Sequence, residues 1–131
     1  MLKIVALSAA LVAFSALPAL ADAECAEPIA PQQPTGPSVT LKQISDAAHD
    51  TNVFMKQSDD YQSCLGREYR QKRDEAEKEK KDLDPSVQQD IDASIDENQK
   101  LKQRVGSEFQ QAFAAFCKRD PKVDPSCAKY Q

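Results

Sequence analysis

The sequence contains no tryptophan, a single histidine and only three glycines in 131 residues. Three scattered glycines (Gly36, Gly66, Gly106) cannot build a glycine-rich loop that cradles a phosphate. Four cysteines are present, yet no two stand in a C-x-x-C pair, which argues against a catalytic thiol-exchange site and against a close-spaced metal site. Positive charge is not in excess either. Lys and Arg number 17 against 21 Asp and Glu, with the two signs interleaved. That leaves no basic face for nucleic acid and no polybasic patch for anionic lipid. The one long apolar run, over residues 4–17, is shorter than the ~18 to 20 residues of a membrane-spanning helix.

What is there begins with that run. Lys3 precedes it, Pro18 breaks it, and Ala19-Leu20-Ala21 or Ala21-Asp22-Ala23 offers small-x-small cleavage patterns. This is the layout of a cleavable signal peptide over residues 1–23, so a periplasmic or secreted location without a transmembrane anchor is expected. Glu24 stands where lipid attachment at Cys25 would need a small residue. Cleavage removes one basic and one acidic side chain, so the net charge stays at −4. All four cysteines remain in the mature part, and an even number in an oxidising compartment reads as two disulfides.

Residues 24–39 carry Pro28, Pro31, Pro34 and Pro37. Proline fixes φ and lacks an N–H, so no helix runs through this stretch, and an extended arm with polyproline II character is expected. Thr40-Leu41-Lys42-Gln43 then fits a capping box. From there a stripe at three- and four-residue steps predicts a helix as far as Leu83, about 43 residues or ~64 Å long. Asp84-Pro85 is the hinge, ending one helix and opening the next with Asp84 as N-cap and Pro85 in the first turn. The second stripe runs from Val87 through Ile91, Asn98, Leu101 and Val105 to Phe116. Asp120-Pro121 stops it, leaving a tail over 120–131.

So short a link makes the helices antiparallel neighbours, and the fold class read from the chain is all-α: a coiled-coil-like hairpin over 40–119 with its turn at 83–85. Facing the two stripes pairs Tyr69 with Asn98, Met55 with Ala112 and Phe54 with Phe113, and lets the start of the first helix overhang. The expected hairpin core is Phe54, Met55, Leu65, Leu101, Val105, Phe109, Phe113 and Phe116, with a thinly held tip around 76–91. In this register Cys64 and Cys117 lie ~21 Å apart along the axis, too far for a bridge. Cys25–Cys64 with Cys117–Cys127 is preferred over Cys25–Cys117 with Cys64–Cys127, which would stretch the tail nearly straight.

Chemistry is sparse. Ser45, Asp46 and His49 are helical neighbours on one exposed face, without oxyanion donors or a pocket, so no catalytic triad is expected there. Asp46, His49 and Asp50 make an equally weak metal set. The charged run 67–82 offers i,i+4 pairs such as Glu68–Lys72, the mark of a solvated helix face. No catalytic residue, cofactor or metal is expected, and the chain reads as a non-enzyme.

Through Ser58-Asp59-Asp60-Tyr61-Gln62-Ser63-Cys64-Leu65, Lys80-Lys81-Asp82-Leu83-Asp84-Pro85 and Arg104-Val105-Gly106-Ser107-Glu108-Phe109, the chain resembles small exported bacterial helical-hairpin proteins that carry a Cys- and Pro-containing amino-terminal arm. The resemblance covers most of the mature chain, supports Cys25 with Cys64 as a pair, and implies no catalytic residue. A looser similarity is to lysozyme-inhibitor-like proteins with a Cys-bearing helical hairpin, whose late Trp-containing motif is replaced here by residues 109–117. The expected role is a structural or protein-interaction hairpin whose partner is another envelope protein or a second copy. The alternatives are a periplasmic chaperone or stress adaptor, and an inhibitor of a cell-wall hydrolase.

Overall fold

A computed structural model describes residues 25–130; the expected signal segment lies outside them. Two long helices, α1 (Leu41–Lys78) and α2 (Pro85–Arg119), pack side by side, followed by a short 3-10 helix (Pro125–Tyr130). No strand occurs among the described residues. The fold is the all-α hairpin expected, and none of the described helices is long and apolar enough to cross a membrane.

α1 starts where the sequence places it. Thr40 accepts the Gln43 N–H at 3.2 Å, and the Gln43 side chain accepts the Thr40 N–H at 2.9 Å, closing the capping box. Its end is a correction: α1 stops at Lys78, not Leu83. Lys80 adopts φ 53°, and its N–H and that of Lys81 return to the carbonyls of Glu77 (3.0 Å) and Ala76 (2.9 Å). This is a Schellman closure with lysine in the left-handed position that usually takes glycine. The sequence carries no glycine there, so the stop is invisible in it. α2 opens as read, with Pro85 in its first turn. The Ser86 N–H donates to Asp84 Oδ1 at 2.9 Å, and that bond holds the Asp84 carboxyl below its ordinary range.

Because α1 ends early, the register shifts by about two helical turns from the pairing expected. Asn98 meets Gln62 and Ser58 rather than Tyr69, Met55 lies under Gly106 rather than Ala112, and Tyr69 reaches Gln88 at 3.3 Å. The overhang is also corrected. α1 and α2 span 38 and 35 residues, and Val39 and Ile44 are buried with Phe116, Cys117 and Cys127.

The seam follows a seven-residue repeat. Ile44, Thr51, Ser58 and Leu65 are buried on α1, facing Ile91, Asn98 and Val105 on α2. At its middle sits a polar layer. Ser58 and Asn98 are both 0 % exposed; the Asn98 Nδ2 donates to Ser58 Oγ at 3.3 Å, and Gln62 Nε2 donates to Asn98 Oδ1 at 2.8 Å. A buried amide in a helical seam fits only the register that supplies its partners.

The arm supplies a third, extended segment. From Cys25 to Thr35 its exposed residues are Ala26, Glu27, Ile29, Gln32 and Thr35, which apart from Glu27 recur every third position, while Pro28, Pro31 and Pro34 are half-buried. A period of three is that of polyproline II, with the proline edge turned toward the hairpin. Cys25 and Cys64 are joined with Cα atoms 5.7 Å apart, and Cys117 and Cys127 with Cα atoms 5.0 Å apart.

Two stability effects follow from these features. Lys80→Gly relieves the left-handed backbone and raises the unfolding free energy by about 1 kcal/mol, read as a higher midpoint in thermal circular dichroism. Asn98→Ala strips Ser58 and Gln62 of their partner and leaves a void, lowering stability by about 2 kcal/mol in urea titration.

Candidate binding groove

The seam between two antiparallel helices leaves a groove on each side, and this chain treats them differently. On α1 the side bearing Gln57, Tyr61 and Cys64 is lined by the arm, which continues past Gln33 to the α2 residues Glu108, Gln111, Ala112 and Ala115. Phe54, on that side of α1, is 1 % exposed. Met55, one residue on and rotated by ~100° to the other side, is only half-buried.

The uncovered side is a groove of about 860 Å³. α1 contributes Leu41, Ile44, Ala48, Asn52 and Met55; α2 contributes Gly106, Phe109, Gln110 and Phe113; the tail adds Tyr130 and Lys129. The rings form one wall. Phe109 and Phe113 stack with centroids 6.1 Å apart, and Tyr130 meets Phe113 edge-on at 5.6 Å. Tyr130 is in place because the tail folds back. The Cys117–Cys127 bridge ties it to α2, and Asp124 caps the 3-10 helix by accepting the Ser126 hydroxyl (2.5 Å) and N–H (2.8 Å). Those bonds lower the Asp124 pKa, the hydroxyl contributing most. Gly106 forms the floor, where a Cβ would lie 3.4 Å from the Met55 methyl. The rim carries amides and hydroxyls, from Asn52, Gln110 and Ser45, that could meet the backbone of a bound chain.

The eight residues expected in the core divide accordingly. Phe54, Leu65, Val105 and Phe116 are buried in the seam, whereas Met55, Leu101, Phe109 and Phe113 are half-buried, three of them along the open groove. Helical spacing put all eight on or beside the two facing stripes, but the arm and tail cover only part of them. Tyr130 and Val39 were not singled out from sequence, whereas Lys118 and Arg119 at the end of α2 suit the negative end of its dipole. Arg119 clamps the arm's end: its guanidinium donates to the Pro37 and Val39 carbonyls and lies 5.3 Å from the Phe116 ring centre. A basic residue in the last turn of a helix carries no pattern that would reveal this clamp.

The other features read from sequence stay apart. His49 is exposed on the outer face of α1, and no group of three or more metal-binding side chains occurs among the described residues. At the tip only Ala76, Leu83 and Val87 are half-buried between Arg70 and Asp90. Glu68 and Lys72 pair at 3.5 Å, while Arg73 turns to Asp74 and Lys81 to Glu79. No family model, curated protein or solved structure matches this chain.

Glycine inside a helix forfeits roughly 0.5–1 kcal/mol relative to alanine. Gly106→Ala therefore stabilises the hairpin by that amount in chemical unfolding, the added methyl raising the floor of the groove against Met55.

Proposed function

We propose that this protein is a non-enzymatic, exported interaction module that holds an apolar segment of another envelope protein against Phe109, Phe113 and Tyr130. The observation that carries this reading is the asymmetry of the two grooves: the chain lays its own arm along one, keeping a cavity of about 820 Å³ between arm and α2, and leaves an aromatic wall standing uncovered in the other. An apolar groove edged by a few polar groups is the usual form of a peptide-binding surface. Two disulfides suit an oxidising, exported setting, as does the signal-like amino terminus. The likeness of the segment around Tyr61 and Cys64 to exported bacterial hairpins agrees with it.

The test is photocrosslinking of the oxidised mature protein in a periplasmic extract. A photoreactive residue at position 113 should give one discrete adduct that is absent when the same group replaces Asp92 on the outer face of α2. A ladder of adducts at both positions would instead favour the chaperone reading. No adduct at 113 would remove the groove as a working surface, and slowing of a lysozyme assay by the protein would favour the inhibitor reading.

A further inference from the structure

We infer that the Cys25–Cys64 bridge is a releasable strap, and that cutting it frees the proline arm while the hairpin stays folded. The two bridges sit in unlike surroundings. Cys117 and Cys127 are 1 % and 0 % exposed, inside the cluster formed with Val39, Ile44 and Phe116. Cys25 and Cys64 are half-buried, and Cys64 lines an open surface groove with Pro28, Ile29 and Tyr61. Thiol–disulfide exchange requires a thiolate to approach a sulfur in line, so access alone separates the two bridges.

Little else fastens the arm's first half. Among the described residues, none from Ala26 to Gln32 makes a hydrogen bond, and the prolines there have no N–H to give. The next anchor is Gln33, whose Nε2 donates to Thr51 Oγ1 at 3.0 Å while its Oε1 is buried without a partner. Beyond it Gly36, at φ 98° in open space, begins the turn that Arg119 clamps. Without the bridge, the stretch from Cys25 to Gln33 holds by side packing alone, and ordering it opposes the conformational entropy of an extended chain. Release turns outward the proline edge that now faces the hairpin. The carboxylate of Glu68 guards this strap, lying 3.8 Å from the Cys25 sulfur and 3.5 Å from the Lys72 ammonium. A negative charge there repels an incoming thiolate and disfavours a thiolate leaving from Cys25.

The reaction is reduction by a dithiol. One thiolate of the reductant attacks the Cys64 sulfur, the bond to Cys25 breaks, and Cys25 leaves as a thiolate that takes up a proton. The reductant's second thiol then displaces Cys64, which takes up the other proton. The protein gains two electrons and two protons, and the reductant becomes a cyclic disulfide.

The experiment treats the oxidised mature protein with dithiothreitol, quenches with an alkylating reagent over time, and maps the labelled cysteines by mass spectrometry. Cys25 and Cys64 should be labelled at least tenfold faster than Cys117 and Cys127, and Glu68→Gln should quicken that first step several-fold. In NMR spectra of the partly reduced protein, the amides of Ala26, Glu27, Ile29 and Ala30 should move to random-coil positions, with those of α1 and α2 unchanged. The Cys25→Ser/Cys64→Ser protein should show the same arm spectrum without reductant. Simultaneous labelling of all four cysteines, or an arm that keeps its native amide positions once the strap is cut, would overturn the inference.

Discussion

Two helices lying side by side bury one stripe each, and for a chain of this size that is a marginal core. Every other feature of this fold addresses that shortage. The arm adds an extended layer along one groove, the tail folds over the end of the hairpin, and each is tied down by a disulfide. The arm brings no backbone hydrogen-bond ladder with it, since prolines lack the donor and its remaining amides do not pair with a helix. An extended strand of this kind has to be fastened at its ends. Cys25 does this at one end and Arg119 at the other, the arginine offering two donors to the Pro37 and Val39 carbonyls.

Stability is distributed unevenly as a result. The end near the termini has Phe116, Ile44, Val39 and the buried Cys117–Cys127 pair. The middle has Phe54, Val105 and the Ser58–Asn98 layer. Beyond Leu65 and Ile91 the helices meet mostly through half-buried or charged side chains, so the tip holds on helix propensity, caps and a few surface pairs. Burying Asn98 where a leucine would fit gives up apolar burial in return for a defined register. A one-turn slip would leave its amide facing apolar or solvent-exposed neighbours. This polar layer makes the register observed here the satisfied one.

The hairpin was legible in the chain because its signals are local. Thr40 with Gln43 and Asp84 with Pro85 act over three or four residues, and their geometry follows from backbone chemistry. The seven-residue recurrence of buried positions was partly visible too, though Ala47 and Phe54 are the buried neighbours of Thr51, and Met55, expected in the core with Phe54, is half-buried. The end of α1 was not legible. A lysine in left-handed geometry leaves no mark on the sequence, and the resulting early stop moved every cross-helix pairing by about two turns. The open groove was half-legible: Phe109 and Phe113 were read as core, and they do line the seam, but the covering layer over them is absent.

Local sequence signals set the helical character of the chain beyond Thr40, its reversal before Asp84-Pro85, and the extended arm that its prolines impose. Those outcomes depend on φ restriction, missing donors and caps, all set within a few neighbouring residues. The register of the two helices, the polar layer at its centre and the groove that the arm fills were set by long-range packing. Each of those depends on contacts between residues far apart in the chain, where the partner of a side chain is fixed by packing and not by its own identity.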